Sequence, residues 1–459
     1  IQGLGLLKIE SEEYPYTHKT KYLSDIRGFK EMSDQDQSNE QPEQTAAAEA
    51  ANPQEHSGLA GEKKTALAMF GLLLLIYVLM VADRFLISML AVDIRGSLGL
   101  TVRDSITLAT MFTLGLGISG IPAGQLIQKY SRRSVVLAGL ILLSSSTLLF
   151  TQAVGFKSMF AFIVVQGVGM GFLATSLFSL STSYFHKSRA AALGIVNLSF
   201  GLGSIFGHWI PGVLRDHYYE TYQDLAWHMP MYIFGAIGVG LVVAVFIFIK
   251  PWFSEVQAPK KVIQDSGGAD SWNNFNTKLL ILMSALYGMV IYGYLGSYPS
   301  FLRTVAGLSA SQVGAAVLWF GIGGLTSYYG GKLGDKFTTK SVLFVSSLIL
   351  AVVTLFLYNE NHSEFIYKLL ATGVGIFGAA IVYTNLAGGH VKSLKRSMTG
   401  KGSGLFVTSV YGGAAIAGLC MGTLIENYGW AAAGQVQISG LCVVIAVLAL
   451  FIRESEFSK

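Results

Sequence analysis

The stretch Leu79–Leu90, LMVADRFLISML, sets an aspartate and an arginine side by side in an otherwise apolar run that begins near Thr65. An ionised side chain at the centre of a bilayer costs about 2.5 kcal/mol or more, so such a residue marks function by default. Arginine offers a planar fork of donors that grips a carboxylate or phosphate bidentately, and a buried aspartate is suited to carry a proton. Consecutive residues on a helix point about 100° apart, so the two charges serve different directions. Arg84 shares a stripe with Tyr77, Val81 and Ser88, whereas Asp83 shares one with Ile76, Leu79, Met80, Ile87 and Leu90. The arginine is thus the expected anion ligand and the aspartate the expected proton site. A structural ion pair between helices is the competing reading.

Other polar residues fall at helical spacing in apolar runs. Asn197, Gly201, Ser204 and His208, closed by Pro211, form one stripe, and Tyr287, Ile291, Tyr294 and Tyr298 form another. The second corresponds to the Arg84 stripe in an internal repeat described below, which matches Arg84 with Tyr294. One cation among many neutral hydrogen-bonders suits a monoanion better than a dianionic phosphate. Gln166, Tyr383, Asn385 and Tyr411 are further polar candidates, and the tyrosines are equally readable as packing or interfacial aromatics. His208 is readable as a satisfied wall residue, His390 beside Lys392 as a surface histidine, and Asp93 with Arg95 as the end of the first helix. GLGISG at Gly115–Gly120 fits a dinucleotide-binding pattern by its letters, but no strand precedes it; its glycines suit close helix contact.

The elements that must hold these residues are membrane helices. Of the 459 residues 52% are hydrophobic and 13% charged, with mean hydropathy +0.52, where soluble proteins carry about 25% charged residues. Apolar runs of about 20 residues suffice to cross a bilayer as helices, the form that satisfies every backbone amide in lipid. The expected spans are 65–92, 104–129, 133–152, 156–185, 189–215, 229–250, 276–302, 310–335, 340–358, 363–391, 400–425 and 430–452. Lysine and arginine gather in alternate connections, among them Lys129, Arg132, Arg133, Lys187, Arg189, Lys250, Lys332, Lys336 and Lys340. The opposite connections hold fewer, with acids such as Asp216, Glu220, Glu360 and Glu426. This asymmetry places both termini in the cytoplasm, with the chain in the plasma (inner) membrane. Residues 1–64 read as a disordered cytoplasmic tail, Met32 as a plausible start with 1–31 as an upstream extension. Cys420 and Cys442 both lie in apolar runs, so no disulfide framework, metal site or cofactor is expected, and the dispersed basic residues argue against nucleic acid.

The halves repeat each other. Ser199–Tyr219 aligns with Ser409–Gly429, matching Gly203 to Gly413, Gly212 to Gly422, Leu214 to Leu424, Asp216 to Glu426 and Tyr218 to Tyr428. GQLIQKYSRRS from Gly124 likewise aligns with GKLGDKFTTKS from Gly331. The expected division is a six-helix bundle at 65–250, a cytoplasmic loop at 251–275, a second bundle at 276–453 and a short tail at 454–459. Transporters built from such repeats place their substrate between the halves near the midplane.

The first of these loops, with Gly124, Leu126, Arg132 and Arg133, resembles the major facilitator superfamily signature Gly-x-Leu-x-Asp-Arg-x-Gly-Arg-Arg/Lys, and it recurs with Gly331, Leu333, Asp335 and Lys340. The resemblance implies twelve helices in two pseudo-symmetric bundles and a role in conformational change for Gly124, Arg132, Arg133, Gly331, Asp335 and Lys340. Gln128 stands where the family carries an acid, which implies a weaker latch in the first half, with Asp335 keeping that role in the second. Helix one, ADRFLISMLAVDIRGSLGLT, resembles the anion:cation symporters, carriers of organic anions and sugar acids. The function expected is alternating-access transport of a small organic anion by a monomer, with Asp83 coupling it to protons. A carrier of a lipid, drug or neutral sugar is the alternative, and a non-transporting sensor a remoter one; no nucleophile with a nearby base suggests an enzyme.

Overall fold

In the computed structural model, residues 53–184, 189–254, 267–395 and 398–458 are described, and Ala60–Lys459 forms one compact unit. Residues 1–52, on which most of the expected tail falls, lie outside the described residues. The described chain is helical throughout: α1 (Pro53–Asp83), α2 (Leu86–Met89), α3 (Ala91–Leu98), α4 (Val102–Lys129), α5 (Arg132–Leu149), α6 (Phe156–Tyr184), α7 (Arg189–Tyr222), α8 (His228–Phe248) and α9 (Pro251–Ser254) precede residue 255. After it come α10 (Phe275–Thr304), α11 (Ala310–Gly324), α12 (Ser327–Lys336), α13 (Thr339–Leu355), α14 (Glu364–Gly373), α15 (Tyr383–Lys392), α16 (Thr399–Ala433) and α17 (Leu441–Ala449). Seven described helical segments are long and apolar enough to cross a membrane.

Equivalent sequence signals start equivalent helices. Thr101 and Ser309 close capping boxes with Asp104 and Gln312 at the heads of α4 and α11. Ser131 and Thr338 accept from the amides of Ser134 and Ser341 at the heads of α5 and α13. The repeated glycines are contact points. A Cβ at Gly203 would lie 2.6 Å from Val78 O, and one at Gly413 would lie 1.9 Å from Ala285 O. Gly413→Ala is therefore expected to lower the melting temperature in detergent, overpacking of this kind costing about 1–3 kcal/mol. Gly412→Ala, where a Cβ meets nothing within 4 Å, should leave melting unchanged or raised.

The structure departs from the expected spans in several places. Helix one is not continuous: Phe85 N bonds Ala82 O at 3.1 Å, a tightened turn, and the chain bends again at Leu90. Such irregular backbone is tolerated at membrane depth where protein covers it, and every residue of α2 is buried. Helix eight is split at Leu325–Thr326, and helix five runs on to Tyr222, past the expected 215. The expected boundary between the last two helices falls at Gly429, which adopts φ 82° inside α16, a region that favours glycine. Val374–Val382 and Gly434–Gly440 are π-helical turns, which periodicity alone does not announce.

The two halves meet tightly at the end that holds the heads of α4 and α11. There a Cβ at Gly212 would lie 2.2 Å from Ala310 O, and one at Gly422 would lie 2.6 Å from Arg103 Cα. Towards the other end of α4 and α16, Gly117, Gly120, Gly124, Gly404 and Gly412 have open space instead.

Candidate functional site

The break after Asp83 turns Arg84 into the space between the halves. Its Nη2 donates to Tyr292 Oη of α10 at 2.7 Å, and the side chain is 6% exposed. Four rings surround the guanidinium carbon: Phe85 at 5.0 Å, Phe112 at 5.1 Å, Phe200 at 5.3 Å and Tyr292 at 5.5 Å. Ring faces attract a cation, yet no carboxylate among the described residues pairs with this one, and Nε has no partner. A buried cation without a counter-charge is costly on its own and suited to receive an anion.

Asp83 points the other way and makes no ion pair with Arg84. Thr147 Oγ1 lies 2.7 Å and Gln166 Nε2 2.8 Å from its Oδ2, while Oδ1 has no partner. The expectation of purely apolar neighbours is thereby corrected, because α5 and α6 bring polar groups to a face that helix one alone presents as apolar. Thr147 Oγ1 is also 3.0 Å from Leu143 O. One hydroxyl proton cannot serve both oxygens fully. Both contacts are satisfied when Asp83 carries a proton on Oδ2 and donates it to Thr147, which then donates to Leu143.

The remaining sequence candidates divide. Tyr411 lies beside the arginine site, its ring 5.9 Å from that of Tyr292 and tilted against it. His208 is fully buried with its ring 4.0 Å from Phe85; Nδ1 meets Ser204 O at 2.6 Å, and Nε2 is without a partner. Ser88 spends its hydroxyl on Phe85 O at 3.0 Å, and Tyr287 donates to Gly378 O at 3.1 Å. Tyr77 packs edge-on against Phe178. Tyr294 lies against Tyr298 and Phe320, and its hydroxyl, like that of Tyr298, is buried without a partner. Arg84 thus bonds Tyr292, whereas Tyr294, its match in the repeat, packs against Tyr298 and Phe320. The side chain of Asn197 lies outside the described residues, and Gly201 faces Leu325 rather than a polar space.

In the first loop motif, Arg132 donates to Ser254 O at 3.2 Å and Arg133 donates to Phe246 O, tying the loop to the end of the first half. Gly124 has open space and Gly331 likewise. Asp335 is exposed with no hydrogen-bond or ion-pair partner among the described residues, so the expected latch is not engaged there. Lys340 gives its backbone N–H to Glu454 Oε1 at 2.6 Å. His390 is fully buried rather than at the surface, its Nε2 3.0 Å from Ser284 Oγ. Of GLGISG, Gly115 makes the expected close approach, to Val164 O, whereas Gly117 and Gly120 do not.

Sequence reasoning missed the polar lock at the closed end. Asp93 does more than end a helix: Arg215 Nη2 reaches its Oδ1 at 2.6 Å and Arg303 Nη2 at 3.2 Å, joining α3, α7 and α10. Asp216 Oδ2 accepts from the Ser311 amide at 2.7 Å, and Glu426 Oε1 accepts from the Arg103 amide at 3.1 Å. These two acids are the pair matched by the repeat, and each sits on the second amide of a helix in the other half, where the helix dipole favours an anion. The recurrence of Asp216 as Glu426 was the available signal.

Comparison with known proteins agrees with this architecture. The sequence profile described as Major Facilitator Superfamily matches residues 73–418 and 280–459. The quinolone resistance protein NorA of Staphylococcus aureus (strain COL) is 24% identical over 361 residues, 76% of this chain and 88% of that protein. A hexuronate transporter of Bacillus subtilis (strain 168) is 24% identical over 283 residues, 58% of this chain and 65% of that protein. Among solved structures, a D-xylose–proton symporter superposes with TM-score 0.67 at 12% identity, over 85% of this chain and 98% of that one. A bacterial homologue of the human lysosomal transporter Spinster, inward-facing and unoccupied, superposes with TM-score 0.62 at 17% identity, over 85% and 96%.

Proposed function

The chain belongs to the major facilitator superfamily and is an integral, multi-pass membrane transporter of a small molecule; we propose that its substrate is a small organic anion, a carboxylate or sugar acid, moved by alternating access with a proton. One observation carries this reading: Arg84 is a buried cation without an internal counter-ion, held between the halves by a bond to Tyr292. A substrate carboxylate would take the place of that hydroxyl and of the free Nε, gaining a charge-assisted bidentate contact. Tyr292 and Tyr411 from the second half would hydrogen-bond the rest of the substrate, so occupancy would draw the halves together. The hexuronate transporter among the relatives and the resemblance of helix one to anion:cation symporters support a sugar acid.

The moving bodies are residues 65–250 and 276–453, joined by 251–275, in a monomer. The distribution of lysine and arginine puts both termini in the cytoplasm and the Asp93 end outside, so the arrangement described is inward-facing, in the plasma (inner) membrane. Asp83 with Thr147 and Gln166 forms the proton site. Asp83→Asn keeps the hydrogen bonds but not the titration, so it is expected to lose uptake driven by a pH gradient while retaining substrate exchange between equal pools. Proteoliposomes assayed for uptake of a set of small organic anions, with and without the gradient, check this; full gradient response in the variant would remove the proton role. A second reading, a carrier of an amphiphilic drug, lipid or neutral sugar, is favoured by the four rings around Arg84 and by the relative NorA. The same liposomes, offered neutral sugars and lipophilic cations beside organic anions, separate the two.

A further inference from the structure

Away from the space between the halves, the second half carries an apolar groove of about 340 Å³ between α12, α13 and the π-helical turn, lined by Phe337, Ser341, Val345, Ile349 and Phe377 among others. Phe337 is 53% and Val345 52% exposed, so the groove opens sideways from the bundle, where the hydrocarbon of a bilayer lies. From Ser341 to Ile349 it follows α13 for about 12 Å at 1.5 Å per residue. Leu333 and Phe337, in and beside the second loop motif, form one wall, and Asp335 of that motif engages no partner among the described residues.

The mouth of this groove is basic. Lys336 Nζ sits 5.5 Å over the Phe337 ring that lines it, Lys332 is one helical turn before, on the exposed face of α12, and Lys340 precedes Ser341. Among the described residues the acids near this end are Asp335, which is exposed, Glu454, which accepts from the Lys340 amide, and Glu456 and Asp270, which are paired with Arg453 and Lys395. We infer that the groove binds an anionic glycerophospholipid from the adjoining leaflet, one acyl chain lying along α13 and the phosphate at Lys336 and Lys340. Apolar length beside a cluster of cations at a membrane surface is the pattern that selects such lipids. The second copy of the motif then works as a lipid clamp, and its lysines are recognition groups rather than a topological signal alone.

Native mass spectrometry of the full chain, titrated with phosphatidylglycerol or with phosphatidylethanolamine of the same acyl chains, tests the site. Phosphatidylglycerol is expected to bind at least fivefold more tightly, and Lys336→Ala with Lys340→Ala to abolish that preference. Lys278→Ala, an exposed lysine on α10, should leave it intact. Val345→Trp, which fills the groove from an exposed position, should weaken both lipids. Equal binding of the two lipids, retention of the preference in the double lysine variant, or its loss in Lys278→Ala would overturn the proposal, as would unchanged binding in Val345→Trp.

Discussion

Arg84→Ala is expected to abolish anion uptake while leaving the folded protein as stable as before, or more so. The two halves of that expectation have one cause. Arg84 is buried with one neutral hydrogen bond and four rings, and no carboxylate among the described residues pairs with it. Removing it discards a desolvation cost rather than an ion pair, and replacing buried charge by neutral groups is often neutral or stabilising. Under the proposed function, a substrate carboxylate would form with the same guanidinium the charged contact on which binding rests. Truncating one partner of such a buried pair costs about 2–5 kcal/mol, about thirtyfold or more in affinity at 1.4 kcal/mol per decade. Arg84→Lys should restore little, because an ammonium lacks the planar fork. Tyr292→Phe removes only a neutral hydroxyl and should raise the Michaelis constant by about tenfold or less. Thermal melting in detergent, with and without a transported anion, reads both effects together. A structural role for the arginine predicts the opposite pattern, with melting falling and ligand-induced stabilisation surviving in whatever protein remains folded.

The sequence showed that Arg84 matters but not what it touches, and the reason lies in helix one. Stripe arguments assume an unbroken 3.6-residue period, and the tightened turn between Ala82 and Phe85 ends that period at the residue of interest. Tyr292 and Tyr294 lie on nearly opposite faces of α10, so which of them Arg84 meets depends on how α10 is turned, which the stripe on helix one does not fix. Thr147 ends the polar run SSST of α5, visible in the sequence, but its meeting with Asp83 depends on how α5 packs against α1. His390 looked superficial because Lys392 stands near it, whereas α10 and α16 cover it, through Ser284 and Phe406. What was legible was whatever repeats. Caps at Thr101 and Ser309, and glycines at 203 and 413 and at 212 and 422, do the same physical work in both halves. The quinolone resistance protein and the hexuronate transporter are each 24% identical to this chain, so overall similarity does not choose between their substrates.

Asp93→Asn is expected to open the closed end. Its carboxylate stands between Arg215 and Arg303, with the three side chains 9%, 13% and 12% exposed, so screening by water is limited. Arg215 has a second acid in Asp216 at 3.1 Å, but Asp93 is the only acid that Arg303 pairs with among the described residues. Neutralising Asp93 therefore does more than delete an attraction: it leaves two arginines from opposite halves facing each other, and their repulsion acts along the direction in which the halves separate. A loss of about 1.4–2.8 kcal/mol shifts a two-state equilibrium ten- to a hundredfold, taking a population of about 99:1 to about 10:1 at the lower end and to near balance at the upper. Asp216→Ala and Glu426→Ala each remove one amide contact at the same end, where greater exposure reduces the effect of the second. Spin labels on a cysteine-free background at Lys157 and Glu360, exposed in opposite halves, report the separation; Asp93→Asn should add a longer-distance population. Adding Arg303→Gln should then shorten that distance again, since it removes the cation that Asp93→Asn left unbalanced. Two variants that each opened the end and added independently would show that no clamp joins them, because residues sharing one ion network are non-additive.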